Sequence, residues 1–324
     1  MKTRIVKPTL NNLKLAARLI QKGEVVAFPT ETIYGLGANA FDCDAVRKIY
    51  KAKGRPGDNP LIVHVSSLDM LRKIGVIPRN FEKIASKFWP GPVTFILKKN
   101  RKTPLYTTGG VDPDERSIFG ARMPESKIAL KFIELSGVPI VAPSANTATR
   151  PSPTLAAHVK SDLDGKIPLI LDGGAAKHGV ESTVIEIRGE TAVVYRLGAL
   201  TVEELLKSFK EVVIATGHSN KTPGRKYKHY SPKTPVVLVT GEKSEQVLKV
   251  KKIINESSLV VSLFDFKIKN QVKFKDAREA TREIFKVFRK FENKYETLIV
   301  LALDDVGIGR TFNERLSRAA SRVI

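Results

Sequence analysis

The chain has 324 residues with a single cysteine, and 42% of its residues are hydrophobic and 27% charged. This length favours two domains, and the composition excludes extensive disorder because it supplies enough apolar residues for real cores. Fifty-five lysines and arginines against 33 acidic residues leave a formal net charge of +22, which suits nucleic acid, nucleotide phosphates or an acidic membrane as a partner.

The single cysteine and the short apolar runs argue against disulfide-bonded, metal-cluster and membrane proteins. With only Cys43, the chain cannot form an internal disulfide or a multi-cysteine zinc or iron–sulfur site, and we predict no protein-bound metal. The longest apolar runs, such as residues 298–303, are far shorter than the roughly 20 residues that a membrane helix needs. The first residues do not form a signal-peptide pattern. We therefore expect a cytoplasmic protein without a membrane partner.

Helix and strand signals alternate through the first two hundred residues. Amphipathic spacing predicts helices, and short buried runs followed by Pro, Gly, Ser or Asn predict strands. The predicted helices span residues 13–22, 44–52, 80–88, 126–135 and 202–209. The predicted strands span residues 25–28, 61–65, 93–97, 140–142, 169–171, 182–187 and 192–197. The pattern therefore predicts an α/β domain with a mixed, twisted sheet over residues 1–210.

A linker and a second domain follow. Residues 211–234 lose the periodic pattern and predict a linker, although its second half carries more tyrosine, histidine and cationic residues than a linker needs. Three strands then alternate with three helices in residues 235–324, which predicts a small Rossmann-like parallel sheet. No Gly-x-Gly-x-x-Gly follows its first strand, so we assign it no dinucleotide.

Polar loops at strand ends carry the candidate chemistry. Residues 51–60 combine three cations, two glycines and two prolines, which suits a stiff loop that meets an anion. Further loops, rich in hydroxyls, glycines and single acids, cover residues 29–37, 142–146, 150–152 and 179–183. Each loop by itself could be a turn or a helix cap. Several around one sheet predict a ligand crevice, because α/β sheets bind ligands beyond their strand ends.

Six motifs in the same order resemble one protein family. They are PTETIYGLG at residues 29–37, KGRPGDNPLI at 53–62, FWPGP at 88–92, ARMP at 121–124, APSAN at 142–146 and GVEST at 179–183. This set resembles the YrdC-like family of threonylcarbamoyl-AMP synthases over residues 8–210. The PGRKYKHYSP segment at 223–232 and the second domain resemble the long, two-domain members.

The resemblance implies an L-threonylcarbamoyladenylate synthase, a nucleotidyltransferase. Such an enzyme joins L-threonine, bicarbonate or CO2, and ATP into threonylcarbamoyl-AMP and pyrophosphate, with Mg2+ assisting. The product would serve the threonylcarbamoyladenosine modification of tRNA through a downstream threonylcarbamoyl transferase complex. Positioning several anions at once needs cations and hydrogen-bond donors rather than a protein nucleophile, which agrees with the loops described above.

The resemblance also implies site residues. Those expected to bind L-threonine are Thr32, His64, Arg122, Ala142 through its backbone, and Ser182. Those expected to bind ATP are Arg55, Asn59, Ile118, Ser144, Asn146, Ser152, Arg196 and Tyr227. Lys53 and Arg55 are expected to be catalytic, and Tyr227 is expected to cap the nucleotide as part of a lid.

The chain departs from the family pattern in one loop near this site. Residues 113–116 are additional, and the threonine that contacts the adenylate in the family aligns with Ile118 or its neighbour Ser117. The effect of this longer loop on the nucleotide site stays open. A backbone contact would survive the change.

Two alternative functions stay open at this point. A basic YrdC-like domain could be a binding module for double-stranded RNA or tRNA without turnover, with strong salt dependence. YrdC-like domains also occur in carbamoyltransferase-type enzymes of hydrogenase maturation. Those enzymes carry an additional zinc-finger segment, which the single cysteine excludes here.

Overall fold

The computed structural model describes residues 2–100, 103–107, 117–216 and 230–324. The chain divides into two units, one formed by residues 1–148 with 152–226 and the other by residues 149–151 with 227–324. No helix in the described part of the chain is long and apolar enough to cross a membrane.

The N-terminal unit combines helices with a large mixed sheet. Its described elements, in chain order, are β1 (Arg4–Val6), α1 (Leu10–Gln21), β2 (Val26–Pro29), β3 (Tyr34–Asn39), α2 (Cys43–Lys53), β4 (Ile62–His64), α3 (Leu68–Ile74), β5 (Gly75–Val76), α4 (Phe81–Ala85), β6 (Val93–Lys99), β7 (Ile118–Arg122), α5 (Lys127–Ser136), β8 (Ile140–Ala142), α6 (Ala156–Leu163), β9 (Leu169–Leu171), β10 (Thr183–Arg188), β11 (Thr191–Arg196), α7 (Val202–Leu206) and β12 (Glu211–Ile214).

The strand order of this sheet decides which loops become neighbours. The order is β1-β9-β2-β3-β8-β4-β7-β6-β10-β11-β12, with β5 paired to β6. Strand β4 runs parallel to β7 and antiparallel to β8, so the sheet is mixed. The register places His64 beside Arg122 across the β4–β7 pair, at the carboxyl ends of both strands. This mixed α/β architecture confirms the predicted fold class of the first domain.

Apolar residues cover both faces of the sheet. Successive strand residues point to opposite faces, and Ala27 accordingly joins the larger core cluster while Phe28 joins the cluster under α1 and α5. Phe132 of α5 packs against Phe28 with ring centroids 5.2 Å apart. Buried on both faces, the central strands form a rigid base for the loops at their ends.

Helix α2 ends where the basic loop begins. The Asp42 carboxylate caps its first turn by accepting bonds from the Asp44 and Ala45 backbone N–H groups, each at 3.0 Å. Gly54 ends the helix with φ of 60°, a left-handed conformation that a side chain would strain. The last helical residue, Lys53, lies inside the protein with 1% of its surface exposed.

One segment that the sequence suggests is a loop is largely a strand. Tyr34–Asn39 pairs antiparallel with β2 and β8, so only residues 30–33 remain as the connecting turn. Gly37 makes this close pairing feasible, because a Cβ there would lie 2.7 Å from Ile140 Cγ2 and 2.9 Å from the Phe28 ring. Gly35 and Gly37 of this motif therefore serve packing, and its polar residues Thr30, Glu31 and Thr32 lie in the turn.

The N-terminal boundary of the linker also differs from expectation. Residues 211–214, which the sequence pattern assigns to the linker, form β12 and pair in parallel with β11. The strand is short and its outer side chains are exposed, so it lacks the buried apolar run that marks the other strands. Most of the remaining linker, residues 217–229, lies outside the described residues.

The C-terminal unit contains a parallel sheet, as predicted for a Rossmann-like domain. Its described strands are ordered β15-β14-β16-β13-β17, and each pair is parallel. The elements are β13 (Val236–Val239), α8 (Lys243–Ile253), β14 (Ser258–Ser262), β15 (Gln271–Lys273), α9 (Ala277–Phe291), β16 (Thr297–Leu301), α10 (Ile308–Ala319) and β17 (Arg322–Val323). The two short strands β15 and β17 were not predicted, because neither contains a buried residue.

Residues 149–151 belong to this second unit by their contacts. The Arg150 guanidinium forms a two-bond pair with the Glu292 carboxylate, with both N–O distances 2.5 Å. The Arg289 side chain donates to the Pro151 carbonyl at 2.5 Å. Tyr230 stacks on Phe285 with ring centroids 5.2 Å apart.

Candidate active site

The Arg122 side chain joins three of the six motifs. Its Nη1 donates to Thr32 Oγ1 at 2.9 Å and its Nη2 donates to Glu31 Oε1 at 2.5 Å. Its Nε donates to the Gly91 carbonyl at 3.3 Å. Arg122 ends β7 and is 4% exposed. A buried guanidinium held on three sides presents its remaining N–H groups in a fixed direction, which suits a planar carboxylate.

Glu31 is the carboxylate that pairs with Arg122 in this structure. It is 6% exposed. Burial raises the pKa of its carboxyl, but the charge and hydrogen bond of Arg122 outweigh burial, so the pKa lies below its usual value. Glu31 is therefore ionised near neutral pH. Among the described residues, its second oxygen, Oε2, has no hydrogen-bond partner.

His64 stands beside this pair as a neutral imidazole. It ends β4, is 4% exposed, and contacts the Phe28 ring edge-on with centroids 5.9 Å apart. Burial, assisted by the charge of Arg122, lowers the pKa of His64 to about 3. Its Nδ1 atom is buried and has no partner within the described part of the chain. A neutral ring with an unused nitrogen suits a hydroxyl group.

Thr32 is fixed by a neighbouring hydroxyl. The Thr30 and Thr32 hydroxyls lie 2.8 Å apart, and Thr30 Oγ1 also donates to the Ile33 carbonyl at 2.6 Å. Thr32 is fully buried. The turn between β2 and β3 therefore presents Thr32 to Arg122 with little conformational freedom.

Ser182 and Arg196 form a second buried cluster. Arg196 Nη2 donates to the Ser182 carbonyl at 2.9 Å and lies 3.1 Å from its hydroxyl. The Ser182 hydroxyl also lies 2.8 Å from that of Thr94 on β6. The GVEST motif is thereby anchored to both neighbouring strands, β6 and β11.

Lys53 joins the basic loop to the APSAN motif. Its Nζ donates to the backbone carbonyls of Ser144 and Asn146, each at 2.5 Å. The Ala148 backbone N–H in turn donates to the Lys53 carbonyl at 2.8 Å. The ammonium group of Lys53 therefore fixes the loop after β8, in addition to any charge that it presents to a ligand.

The residues beyond Lys53 form a supported turn. Asn59 is 5% exposed, and its carbonyl accepts the Tyr50 hydroxyl at 2.7 Å. The Arg55 Nη2 lies 3.5 Å from the Pro60 carbonyl. The expected anion loop is thus built on the end of α2, with Tyr50 as its internal support.

Ser152 connects to the GVEST motif through an acid. Its hydroxyl donates to Glu181 Oε1 at 2.6 Å, and both residues are buried. Ser152 as a whole residue is 1% exposed. The expected ATP residue Ser152 and the expected threonine residue Ser182 are therefore linked through adjacent positions of one motif.

The remaining expected residues are placed as follows. Ala142 ends β8 and pairs with Ile62 across β4. Ile118 begins β7, four residues before Arg122, which separates the two by about 13 Å along the strand. Its side chain packs with the small cluster that contains Ile96 and Tyr195, so the structure does not bring it to the Arg122 cluster. Tyr227 lies outside the described residues, and its role in a lid stays a prediction.

Three residues of these clusters were not assigned from the sequence. Glu31 and Glu181 lie in the motifs at residues 29–37 and 179–183. In each motif the acid stands directly beside a hydroxyl residue, and this was the sequence signal that could have identified them as site residues. Thr94 lies in a strand with no polar motif of its own, and only the sheet order places it beside Ser182.

Two protein-family models match this chain. The Sua5–YciO–YrdC family model, described as "Telomere recombination", matches residues 18–198. The chain belongs to the Sua5–YciO–YrdC family. A second model, described as "Threonylcarbamoyl-AMP synthase, C-terminal domain", matches residues 200–321. The resemblance carried by the six motifs is thereby confirmed.

Relatives of this Sua5–YciO–YrdC chain match over nearly its whole length. It is 39% identical over 323 residues to the threonylcarbamoyl-AMP synthase of Pyrococcus abyssi, covering 95% of this chain and 94% of that protein. It is 38% identical over 329 residues to the threonylcarbamoyl-AMP synthase of Bacillus subtilis, covering 95% and 93%.

Solved structures of the family agree with the fold. The crystal structure of P. abyssi Sua5 complexed with L-threonine is similar with a TM-score of 0.87 and 36% identity, covering 100% of this chain and 98% of that one. Escherichia coli YciO has a TM-score of 0.53 at 24% identity and covers 61% of this chain and 95% of its own, which shows a shared fold.

Proposed function

We propose that this protein is an L-threonylcarbamoyladenylate synthase, which forms threonylcarbamoyl-AMP and pyrophosphate from L-threonine, bicarbonate or CO2, and ATP. The observation that carries the proposal is the buried Arg122 guanidinium, which residues of two other motifs hold in place. It lies in a chain whose near full-length relatives carry the name of this enzyme.

The threonine half of the site is assigned to the Arg122 cluster. Arg122 binds the carboxylate of L-threonine, because its two remaining N–H groups match the two carboxylate oxygens. Thr32, His64, Ser182 and the Ala142 backbone surround the rest of the amino acid. The neutral His64 adds no charge that would repel the ammonium group of the substrate.

The nucleotide half is assigned to the basic turn after α2, to the loop that Lys53 holds, and to the residues bonded to the GVEST motif. Arg55 and Asn59 lie in the basic turn after α2. Ser144 and Asn146 lie in the loop that Lys53 holds. Ser152 and Arg196 connect to the GVEST motif. Cations and backbone N–H groups at loop ends stabilise the phosphate charges of ATP.

The reaction requires two bonds to form. The threonine ammonium group loses a proton to water, and the resulting amine attacks the carbon of CO2. An N–C bond forms, a C–O π bond of CO2 breaks, and the nitrogen loses a second proton to water, which gives a carbamate. A carbamate oxygen then attacks the α-phosphorus of ATP, the bond to the β-phosphate oxygen breaks, and pyrophosphate leaves. Neither step requires a protein nucleophile, so the site acts by positioning and by electrostatic stabilisation.

Mg2+ is proposed to enter with ATP. Within the described ranges, no group of three or more His, Cys, Asp or Glu side chains could hold a metal ion. Glu31 and Glu181 already accept bonds from Arg122 and Ser152. The phosphates of ATP would therefore hold Mg2+ and the metal would neutralise their charge, as is usual for this ion.

The product would serve tRNA. We propose a threonylcarbamoyl transferase complex as the downstream partner, because the mixed anhydride is easily hydrolysed and must be consumed quickly. We propose that this protein acts in the cytoplasm. The net charge of +22 additionally favours direct contact with RNA.

The deciding experiment is pyrophosphate release by the purified full-length chain with ATP and Mg2+. We expect release only when L-threonine and bicarbonate are both present, and we expect omission of either to reduce it to background. Release that ignores threonine would overturn the proposal. Turnover with carbamoyl phosphate in place of threonine and bicarbonate would favour the carbamoyltransferase-type alternative.

The RNA-binding alternative has a separate test. A module without turnover would bind double-stranded RNA with an affinity that falls steeply with salt, and it would release no pyrophosphate. Measuring RNA binding at several salt concentrations beside the pyrophosphate assay separates the two functions.

A further inference from the structure

We propose that Glu31 binds the α-ammonium group of L-threonine, while Arg122 binds the carboxylate. The inference rests on the proposed function, since it deepens the assignment of the threonine subsite. It makes Glu31 a substrate-binding residue that selects for the zwitterion of an amino acid. Three unused polar groups in one buried place carry the argument.

The first unused group belongs to Arg122. A guanidinium has five N–H donors, and Arg122 spends one each on Gly91, Thr32 and Glu31. One donor is left on each of its two terminal nitrogens among the described residues. A donor on each terminal nitrogen allows a guanidinium to bind a carboxylate with two bonds.

The second unused group is the Oε2 atom of Glu31. This atom is buried and lacks a hydrogen-bond partner within the described part of the chain, although Oε1 of the same carboxylate is bonded to Arg122. The backbone N–H groups of Glu31 and Glu125 favour its charged form from nearby, but neither meets hydrogen-bonding geometry with Oε2. A buried, ionised oxygen without a donor is costly unless a ligand supplies that donor.

The third unused group is Nδ1 of His64. His64 and Arg122 are register partners on neighbouring parallel strands, so their side chains lie on the same face of the sheet. Arg122 in turn is bonded to Glu31, so the register and this bond link the three residues. The buried Nδ1 can exchange one hydrogen bond with a hydroxyl.

These three groups match the three polar groups of L-threonine. The carboxylate needs two donors, the ammonium needs an anionic acceptor, and the side-chain hydroxyl needs one partner. Arg122, Glu31 and His64 offer these in turn. The arrangement also persists through carboxylation, because the carbamate nitrogen keeps one N–H that can donate to Glu31 Oε2.

A purely structural role for Glu31 does not explain why its Oε2 atom is buried without a hydrogen-bond donor among the described residues. A carboxylate that served only to hold Arg122 would be expected to use both oxygens on protein donors or to expose the second oxygen to water. Here Oε2 has neither. The ligand role explains why a buried ion pair keeps one acceptor and two donors unsatisfied.

The test compares two ligands that differ in one group. L-threonine carries the ammonium group, and (R)-3-hydroxybutanoate lacks it but keeps the carboxylate and the hydroxyl. Calorimetry on the full-length chain measures both dissociation constants for the wild type, for Glu31→Gln and for Glu125→Gln. Glu125 is the matched control, because its carboxylate pairs with Lys177 at the surface and is 46% exposed.

We expect Glu31→Gln to weaken L-threonine binding about tenfold or more, because it removes a charge-assisted bond. It should leave 3-hydroxybutanoate binding unchanged or stronger, since Arg122 loses its internal competitor. Glu125→Gln should change neither. ATP binding by Glu31→Gln, measured in parallel, reports that the site is still folded.

Other results would overturn the inference. Tighter binding of both ligands to Glu31→Gln would make Glu31 a placeholder that occupies Arg122 until substrate arrives. Equal weakening of both would make Glu31 only a support for Arg122. If the wild type itself bound no L-threonine, the proposed function would fail, and that outcome is distinct because it does not involve the variant.

Discussion

The Arg196 guanidinium makes two contacts with Ser182. Its Nη2 lies 2.9 Å from the serine carbonyl oxygen and 3.1 Å from the serine hydroxyl. The family resemblance places Arg196 on the nucleotide and Ser182 on L-threonine. If each residue binds the substrate that we propose for it, their direct contact makes the two subsites adjacent. A change at either residue should be felt by both substrates.

Ser182→Ala should weaken ATP binding, although Ser182 is expected to contact threonine. The substitution removes the hydroxyl that orients Arg196 and bonds Thr94, and we expect the ATP dissociation constant to rise about three- to tenfold. A double-mutant cycle with Arg196→Lys should show a coupling energy of about 0.5–3 kcal/mol.

Ser136→Ala is the control for this cycle. Ser136 is equally buried, and its hydroxyl donates to the Phe132 carbonyl on α5, outside both clusters. It should leave ATP binding unchanged. Strict additivity of Ser182→Ala and Arg196→Lys would contradict the coupling.

Arg122→Met should destabilise the protein strongly because it leaves the Glu31 carboxylate buried without its cation. We expect the free energy of unfolding to fall by about 3–5 kcal/mol. Trp89, the single tryptophan, reports unfolding of the N-terminal unit by fluorescence in urea. Adding Glu31→Gln should restore most of the loss, and a double variant as unstable as Arg122→Met would argue against an uncompensated charge.

The stability of the N-terminal unit should fall as the pH drops below about 6.5. The folded protein holds the pKa of His64 at about 3, against a usual value of 6.5. Between these two pH values the imidazole is protonated in the unfolded chain and neutral in the folded one, so a lower pH favours unfolding. The contribution is fully present above pH 6.5 and should decrease by about 2 kcal/mol at pH 5.

A His64 variant tests this pH dependence directly. His64→Gln removes the titrating group, so urea titrations between pH 7.5 and 5 should show a flatter profile than the wild type. Glu31, whose pKa is lowered, adds a loss of the same sign only below its usual pKa near 4.5. The same slope in both proteins would mean that His64 is protonated in the folded state.

Lys53→Met should weaken ATP binding through the loop that Lys53 holds. The ammonium group donates to the Ser144 and Asn146 carbonyls, which would be left without these bonds in the variant. We expect a higher ATP dissociation constant in the absence of threonine, together with a loss of about 1–3 kcal/mol in stability.

The Lys53→Met prediction has one control variant and one contrary outcome. Arg47→Met changes an exposed cation on the same helix, outside the basic loop, and should leave ATP binding unchanged. Unchanged ATP affinity in Lys53→Met with a large loss of turnover would instead make Lys53 purely catalytic.

Local pattern was sufficient for most of the fold. Amphipathic spacing located α1, α2, α5 and α9 because each buries one continuous stripe, and short apolar runs located the central strands. It missed helices α3 and α6 and strands β1, β5, β7, β12, β15 and β17. Apart from β7, each of these strands buries at most one residue and so carries no run of buried side chains. Residues 34–37, which belong to β3, were assigned to a loop, because glycines that permit close packing resemble glycines that permit turns.

By itself, the sequence determined the α/β class, the family and the loops that carry polar chemistry, since these depend on neighbours along the chain. Only the tertiary structure decided that Glu31 pairs with Arg122, 91 positions away, and that His64 lies beside both. The order of strands in the sheet sets such pairings, and many distant apolar contacts fix that order together. Which donors and acceptors remain unused follows from those contacts, so no local pattern could reveal it.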